Sequence, residues 1–343
     1  MTKNTTVLVT GASGFIAIHT IIQLLEQGYN VRGTLRTMKR ETELRQTLAK
    51  FVRAGDRLSF TQADLLSDEG WDEAVRGCEY VLHMASPFPL QMPKDEDDLI
   101  RPAREGTLRV LKAAADNGVR RVVLTSSTAA VAYGHPREKR RFDESDWSIV
   151  DAPGANAYQK SKTLAERAAW AFMDNLPKEH PMELAVINPG LVLGPLPDTY
   201  ARTSGVLVYE LLKASAPGLA RMHFNGVDVR DVAAAHLAAM TKPEAAGQRF
   251  ICVSESFWMK DVALVLKKHF AARGFKVKTT VFPDWAVRIV ALFNKEARAT
   301  LDSLGREIQV DNSKIQKVLG VKFRDLEEMT VAMAESMIEL GIL

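Results

Sequence analysis

A glycine-containing turn near the start of this sequence constrains its fold more than any other feature. The β-branched run at residues 7–9 leads into Gly11 and Gly14, and an apolar helical pattern follows as far as Leu25. This order of strand, glycine turn and helix is typical of the first crossover in a nucleotide-binding α/β sheet. Backbone amides at the positive end of such a helix bind a phosphate. A tight strand-to-helix turn without a ligand is the alternative.

The residues of this turn predict a dinucleotide site. Gly11 allows the sharp turn, Gly14 lets the backbone approach a phosphate, and the small Ala17 keeps the helix close to the strand. The predicted cofactor contacts in this segment are Gly11, Ser13, Gly14, Phe15 and Ile16.

Strand and helix patterns alternate along most of the 343 residues. The predicted strands are 6–10, 30–35, 58–62, 80–83, 121–125, 183–188 and 249–253, and the clearest helices are 97–117, 156–176 and 229–240. This alternation predicts an α/β fold, a Rossmann-type doubly wound parallel sheet covered by helices on both faces. Ligands bind to such sheets at the carboxyl ends of the strands, so the residues after each strand matter most.

The alternation breaks down in two places, which predicts a second structural unit. We expect residues 1–194, completed by about 226–253, to form the dinucleotide-binding domain. Residues 195–225 and 254–343 are expected to form a smaller, mostly helical substrate-binding lobe, with amphipathic helices at 259–269 and 326–343.

Composition and charge exclude several classes of protein. The net charge of +3 is too small for a nucleic-acid footprint, and the basic cluster of residues 137–141 is interpreted as a solvated loop. Cys78 and Cys252 are far apart, so neither a disulfide framework nor a metal site is predicted. No apolar run approaches the roughly 20 residues that span a bilayer, and no signal peptide is evident. We therefore expect a cytoplasmic protein that does not bind membranes.

The residues after the second predicted strand bear on cofactor choice. An NAD-selective site usually has an acidic residue there to accept from the ribose hydroxyls, and this sequence has none. Arg36, with Arg40 or Lys39 one turn later, is placed to hold a 2′-phosphate by charge-assisted hydrogen bonds. The alternative is a solvated basic helix start. The missing acid favours NADP(H).

The ends of the third and fourth strands provide further candidates. Asp64, followed by Leu65, either caps a turn or accepts from the adenine amino group. Ala85 is small enough to let a cofactor ribose approach, and Ser86 and Phe88 lie in an irregular segment suited to the wall of a substrate pocket. His83 is interpreted as a packed residue at the strand end.

A serine, a tyrosine and a lysine form the strongest chemical signal. Ser127 follows the fifth strand, and Tyr158 and Lys162 lie four residues apart in a helical pattern, so their side chains project from one face. A tyrosine four residues before a lysine is common and usually structural. Together with the glycine turn, the strand-end serines and an aromatic loop, it becomes the strongest signal in the sequence.

These motifs resemble the extended short-chain dehydrogenase/reductase superfamily, and most closely its dihydroflavonol-reductase-like branch of NADPH-dependent aldehyde and ketone reductases. The segments that carry the resemblance are 11–17, 31–36, 83–88, 124–127, 157–169, 188–195 and 228–233.

The resemblance implies a catalytic set of Ser127, Tyr158 and Lys162, in which Tyr158 donates the proton and Lys162 also holds the nicotinamide ribose. An ammonium at ~4 Å is expected to lower the phenol pKa by about one to three units. Ser127 is expected to hydrogen-bond the carbonyl oxygen and steady the developing alkoxide.

The resemblance also implies several supporting residues. The further cofactor contacts are Thr125, Pro189, Val192 and Ser204, and the candidate substrate walls are Phe88, Tyr133, Val192, Leu193 and Phe224. Ordinary core packing is the alternative for each wall residue. Arg109 stands where the family often has an asparagine, and Asp228, Arg230 and Asp231 match a structural ion-pair motif at a helix start.

The sequence thus predicts NADPH-dependent reduction of aldehydes or ketones to alcohols by a monomer or homodimer. A nucleotide-sugar epimerase or dehydratase of the same superfamily is one alternative, although such enzymes usually carry an acid where this chain has Arg36. A non-catalytic NADP-sensing protein is the other.

Overall fold

Three β-sheets organise the structure, a computed structural model that describes residues 4–87, 93–200, 205–293, 298 and 300–343. The strands in chain order are β1 (Thr6–Val9), β2 (Asn30–Leu35), β3 (Leu58–Gln62), β4 (Tyr80–His83), β5 (Arg121–Thr125), β6 (Arg141–Phe142), β7 (Glu183–Pro189), β8 (Leu191–Leu193), β9 (His223–Asp228), β10 (Gln248–Cys252), β11 (Glu255–Trp258) and β12 (Gln309–Val310). The main sheet has seven parallel strands in the order β3-β2-β1-β4-β5-β7-β10. The strand order reverses between β1 and β4, the place where such sheets bind ligands.

Helices cover both faces of this sheet. The α-helices that the structure describes are α1 (Phe15–Glu26), α2 (Glu41–Ala49), α3 (Trp71–Val75), α4 (Asp97–Asp116), α5 (Ala157–Asp174), α6 (Val206–Lys213), α7 (Val229–Thr241), α8 (Met259–Phe270), α9 (Asp284–Phe293), α10 (Ser313–Leu319) and α11 (Leu326–Glu339). Side chains alternate across β1, so Val7 and Val9 pack with α1 and α7, whereas Leu8 packs with α3, α4 and α5. The predicted doubly wound fold is confirmed.

A fully buried arginine ties the sheet to α7. Arg121 at the start of β5 forms an ion pair with Glu183 at 2.6 Å. It also donates to the carbonyl oxygens of Ala239, at 2.8 Å, and Lys242, at 2.6 Å. These carbonyls end α7 and have no partner within the helix, so the guanidinium caps it. The sequence analysis did not predict this contact.

The second unit has its own core. Helices α6, α8 and α11 pack around the apolar side chains of Leu193, Val208, Leu266 and Met333. A three-stranded sheet in the order β8-β9-β11 lies beside them. The division into two units stays a prediction, and one part of it differs: Ile315 and the rest of α10 pack against the apolar cluster of the main sheet. Their apolar face is buried there rather than in the lobe.

The predicted element boundaries agree closely with the observed ones. The last helix ends at Glu339 instead of continuing to the terminus. Within the described residues, no helix is long and apolar enough to cross a membrane.

Candidate active site

The glycine turn lies against the end of β4. Gly11 has φ +65°, and a Cβ there would lie 3.0 Å from the Cα of Ala85, so only glycine suits both the conformation and the space. Its amide donates to Thr34 Oγ1 at 3.0 Å, which links the turn to β2. The amide of Gly14 donates to the Gly11 carbonyl at 2.8 Å. The turn is therefore held by neighbours on both sides.

The start of α1 is open to solvent. Gly14 is the N-terminal cap residue, is exposed, and supplies no side chain to the helix amides. Ser13, Phe15 and Ile16 are partly exposed, whereas Ala17 is buried against the sheet. The amides of this first turn thus form a cradle at a positive helix end, the arrangement that fits a pyrophosphate. The predicted contacts here stay predictions.

Two arginines follow β2 at the edge of this cradle. Arg36 is exposed and makes no side-chain hydrogen bond or ion pair within the described residues. The guanidinium carbon of Arg40 lies 4.2 Å from the centre of the Tyr200 ring, and its buried Nε makes no hydrogen bond in the described part of the chain. Glu43 lies 3.5 Å from that nitrogen. Both arginines therefore keep N–H donors for an anion.

Asp64 caps a turn, one of the two roles that its sequence position suggested. Its Oδ1 accepts from the amide of Leu66 at 3.0 Å. Leu65 packs against Gly106 of α4, where a Cβ would lie 2.8 Å from the leucine side chain. Arg109 donates to the Leu65 carbonyl at 2.8 Å and forms an ion pair with Asp68. Arg109 thus anchors this loop to α4.

His83 is a packed residue, as the sequence interpretation held. It is buried, and its Nδ1 lies 2.8 Å from Thr10 Oγ1. That oxygen accepts the amides of Met84 and Ala85 at 3.0 and 2.9 Å, so the Thr10 hydroxyl proton is assigned to His83. Burial lowers the pKa of His83 to about 3, and the imidazole is neutral. The contact fixes Ala85 beside the glycine turn.

Ser127 lies where β5 ends. It is buried, and its Oγ accepts the amide of Ala129 at 3.1 Å in a short turn. The hydroxyl lies 3.4 Å from the Pro189 carbonyl and also hydrogen-bonds the Tyr158 side chain. This places the serine and the tyrosine in direct contact.

The start of α5 positions Tyr158. Asn156 caps the helix by accepting the amide of Gln159 at 3.0 Å, and the Gln159 side chain accepts the Asn156 amide at 3.1 Å. This capping box fixes the first turn, which carries the tyrosine.

The pKa of Tyr158 differs in direction from the sequence expectation. Burial raises it above the usual phenol value, the Ser127 hydrogen bond lowers it in part, and Tyr133 raises it. The expectation of a net decrease caused by Lys162 is therefore wrong for the protein alone. Desolvation of the phenolate outweighs the favourable contacts, so the phenol stays protonated at neutral pH.

Lys162 points toward the end of β5. Its Nζ lies 3.5 Å from the carbonyl oxygen of Thr125, and the residue is 8% exposed. Burial lowers the pKa of Lys162 to about 8, and the Glu166 carboxylate raises it in part. The ammonium is charged at neutral pH and lies one helical turn from Tyr158.

A buried carboxylate below Lys162 was missed by the sequence analysis. Glu166 is fully buried and accepts from Ser126 Oγ at 2.6 Å and Asn188 Nδ2 at 2.8 Å. It also pairs with Arg249 at 2.6 Å. Asn188 in turn donates to the Ser127 carbonyl at 3.2 Å. The network supports the loop that carries Ser127, and only the spacing of Glu166 from Lys162 indicated it in the sequence.

The remaining predicted cofactor contacts surround these groups. Thr125 Oγ1 bonds to His236 Nε2 at 2.7 Å, so its side chain is structural and its carbonyl faces Lys162. Pro189 is buried beside Ser127, and Val192 is partly exposed and packs against the apolar cluster of the main sheet. Ser204 lies outside the described residues.

The candidate substrate residues divide into three groups. Tyr133 and Ser86 are partly exposed. Tyr133 interacts electrostatically with Tyr158, and Ser86 follows Ala85, which lies against the glycine turn. Phe224 is partly exposed and packs against Phe257, whereas Leu193 is fully buried, so core packing, the alternative, describes Leu193. A side chain without exposed surface cannot contact a ligand directly. Phe88 lies outside the described residues.

Asp228 and Asp231 form the expected ion pairs. Asp228 pairs with Arg230 at 2.7 Å, while Asp231 pairs with Arg324 just before α11. The Asp231–Arg324 ion pair joins the start of α7 to the segment before the C-terminal helix. These ion pairs have a structural role.

The fold and this site define a Rossmann-type nucleotide-binding protein whose serine, tyrosine and lysine meet at one end of the sheet. The chain belongs to the NAD-dependent epimerase/dehydratase family, whose sequence pattern it matches over residues 7–252. The resemblance to the dihydroflavonol-reductase-like branch is confirmed by several relatives.

Similarity extends over nearly the whole chain. Cinnamoyl-CoA reductase 1 of Petunia hybrida is 40% identical over 267 residues, 77% of each protein. The NADPH-dependent methylglyoxal reductase of Saccharomyces cerevisiae is 33% identical over 341 residues, covering 94% of this chain and 95% of that protein. A crystal structure of the yeast enzyme with NADPH superposes with a TM-score of 0.83, at 29% identity over 98% of this chain and 99% of that one.

Proposed function

We propose that this protein is an NADPH-dependent carbonyl reductase that converts aldehydes or ketones into alcohols and runs in reverse as an alcohol dehydrogenase. The observation that carries the proposal is the contact of Ser127 with Tyr158 beside the buried ammonium of Lys162. Relatives named as reductases of methylglyoxal, cinnamoyl-CoA and a tetraketide pyrone support a carbonyl substrate.

Tyr158 is the proton donor in this proposal. Its raised pKa keeps the phenol protonated at neutral pH, the form required to give a proton to the carbonyl oxygen. Ser127 holds that oxygen by a hydrogen bond, and the Lys162 ammonium stabilises the phenolate that remains. When bound, the nicotinamide supplies the hydride. In the reverse direction Tyr158 must first lose its proton, so alcohol oxidation favours higher pH.

The residues that would hold NADPH lie along one edge of the sheet. Backbone amides of residues 13–16 would cradle the pyrophosphate, and Arg36 and Arg40 would hold the 2′-phosphate. Asp64 and Leu65 would bind the adenine, and Ala85, Thr125, Pro189 and Val192 would bind the ribose and nicotinamide. Ser204, outside the described residues, belongs to the same proposal. The free donors of both arginines and the open helix start fit this group.

The finer assignments belong to the same proposal. Ser86, Phe88 and Tyr133 contact the substrate, and Leu193 supports the pocket from the lobe core. The protein acts in the cytoplasm as a monomer or as a homodimer formed through α4 and α5.

A nucleotide-sugar epimerase of the same superfamily is the second candidate. One solved structure with UDP-glucuronic acid and NAD shares the fold at 21% identity. Arg36, in place of an acid, speaks against NAD as the resident cofactor.

The experiment is NADPH oxidation, followed at 340 nm with a panel of aldehydes, aryl ketones and 2-oxo esters, with NADH in parallel. Turnover with a strong preference for NADPH supports the proposal. Equal use of NADH overturns the 2′-phosphate assignment. Absence of NADPH oxidation with every carbonyl compound of the panel overturns the reductase assignment.

A further inference from the structure

An arginine-lined cavity lies where the loop after Tyr133 meets the lobe. Its volume is about 200 Å³, and its lining includes Arg137, Arg140, Arg221, Arg306, Trp258 and Glu307. In the sequence, the first two arginines fall in a basic cluster that is interpreted as a solvated loop. The structure instead brings them together with arginines that lie far away in the sequence.

Backbone contacts hold two of these arginines in place. Arg137 donates to the Leu304 carbonyl at 2.7 Å, and Arg306 donates through Nη2 to the His135 carbonyl at 2.9 Å. The Nε of Arg306 is buried and has no hydrogen-bond partner within the described residues. A guanidinium carries five N–H donors, so both side chains are fixed while keeping donors to spare.

The charge of the cavity is incompletely balanced. Arg221 is paired with Asp284 at 2.6 Å, and Arg140 lies 3.9 Å from Glu307. Arg137 and Arg306 form no ion pair with a described residue. Burial and the charge of Arg137 both lower the pKa of Arg306. Arg137 is exposed and Arg306 is half-buried, and an anion placed between the two like charges would be attracted by both.

Tyr133 interacts with an arginine of this cavity and with Tyr158. Arg306 interacts electrostatically with the Tyr133 phenol, and Tyr133 interacts in the same way with Tyr158. The amide of Tyr133 donates to Ser148 Oγ at 2.9 Å, which fixes the backbone of this tyrosine.

We propose that this cavity binds an oxyanion, a phosphate or carboxylate group, through Arg137 and Arg306, with Arg140 at its rim. The anion is either free in solution or a charged substituent of the carbonyl substrate. Only the second source rests on the proposed function. Planar guanidinium groups suit both oxyanions because they donate two parallel hydrogen bonds.

The binding test measures the anion without turnover. Inorganic phosphate and benzoate are titrated by calorimetry into wild-type protein, Arg306→Gln, Arg140→Gln and the surface control Arg53→Gln, at constant ionic strength set with chloride. Saturable binding that weakens about tenfold in Arg306→Gln, and less in Arg140→Gln, supports the site. Binding that is absent up to about 50 mM, or equal in all four proteins, overturns it.

The source test uses a matched pair of substrates, 4-carboxybenzaldehyde and the methyl ester of the same compound. If the anion belongs to the substrate, kcat/KM for the carboxylate falls about tenfold in Arg306→Gln, while that for the ester is unchanged. If phosphate binds but the ratio of kcat/KM for the carboxylate to that for the ester is the same in Arg306→Gln and wild type, the ligand is a free anion. Failure to reduce either aldehyde contradicts the proposed function and leaves the calorimetric result standing.

Discussion

The ammonium of Lys162 lies 3.5 Å from the carbonyl oxygen of Thr125, so the lysine of α5 is held at the end of β5. The same strand end leads into Ser127, and the same helix face carries Tyr158. A helix and a strand that pack directly against each other thus bring together three side chains of different chemistry.

Lys162 is expected to destabilise the fold at neutral pH in exchange for its catalytic role. Its pKa is about 8 in the folded protein, against 10.5 for the unperturbed group. Below pH 8 the Lys162 amine is protonated in both the folded and the unfolded protein. The free-energy cost of burying this charge, up to about 3 kcal/mol, is then fully present. As the pH rises from 8 to 10.5, only the unfolded state keeps the proton, and this cost disappears.

We therefore predict that Lys162→Met loses turnover but unfolds at a higher denaturant concentration than the wild type at pH 7. The difference should shrink as the pH approaches 10.5. Lys160→Met is the matched control, because Lys160 pairs with Glu96 near the surface of the same helix. A Lys162→Met protein that is less stable than wild type at pH 7 would contradict the argument.

The charge of Lys162 also predicts a pH profile. Because kcat/KM reports pKa values of the free enzyme, carbonyl reduction should decline above a pH of about 8 as the ammonium loses its proton. Initial rates between pH 6 and 10, in buffers matched in ionic strength, measure this decline, the alkaline limb of the pH profile. A flat profile over that range would exclude a role for the lysine charge.

Glu166 is predicted to act on Lys162 as well as on stability. Glu166→Gln leaves Arg249 without its buried carboxylate, a change that costs about 3–5 kcal/mol. It also removes the negative charge that raises the pKa of Lys162, so the alkaline limb of kcat/KM should move to lower pH. Glu179→Gln, on an exposed residue after α5, is the control. If Glu166→Gln is less stable but the alkaline limb of its kcat/KM profile stays at the wild-type pH, Glu166 has a purely structural role.

Arg36 and Arg40 are predicted to select the cofactor. Losing one charge-assisted hydrogen bond costs about 1.5–3 kcal/mol, so Arg36→Ala should raise the Kd for NADPH roughly 10- to 150-fold without changing that for NADH. Fluorescence titration of both nucleotides measures the effect, with Arg53→Ala as the control.

Tyr200 provides a second variant, because its ring lies 4.2 Å from the guanidinium of Arg40. Tyr200→Ala should weaken NADPH binding less than Arg36→Ala does, and Tyr200→Phe should preserve it because the ring remains. Equal losses for NADPH and NADH in these variants would contradict a 2′-phosphate site.

The fold could be predicted from the sequence because it rests on local patterns, whereas the catalytic roles of Ser127, Tyr158 and Lys162 stay a prediction. The strands of the main sheet are short and alternate with helical patterns, and Ser127 and Tyr158 lie beside predictable element ends. Glu166 was not predicted, because its partner Arg249 is 83 residues away and a glutamate in a helix usually faces water. The pKa of Tyr158 also depends on burial, which is decided by tertiary packing and not by spacing along a helix.

The central claim is that Tyr158 donates the proton, and Tyr158→Phe tests it most directly. The measurement is kcat with the best aldehyde of the panel together with the Kd for NADPH, for Tyr158→Phe and for the control Tyr209→Phe. We predict a kcat lowered by about 10²–10⁴-fold in Tyr158→Phe and a Kd within about threefold of wild type. A Tyr158→Phe enzyme that keeps its kcat while binding NADPH normally would contradict the account.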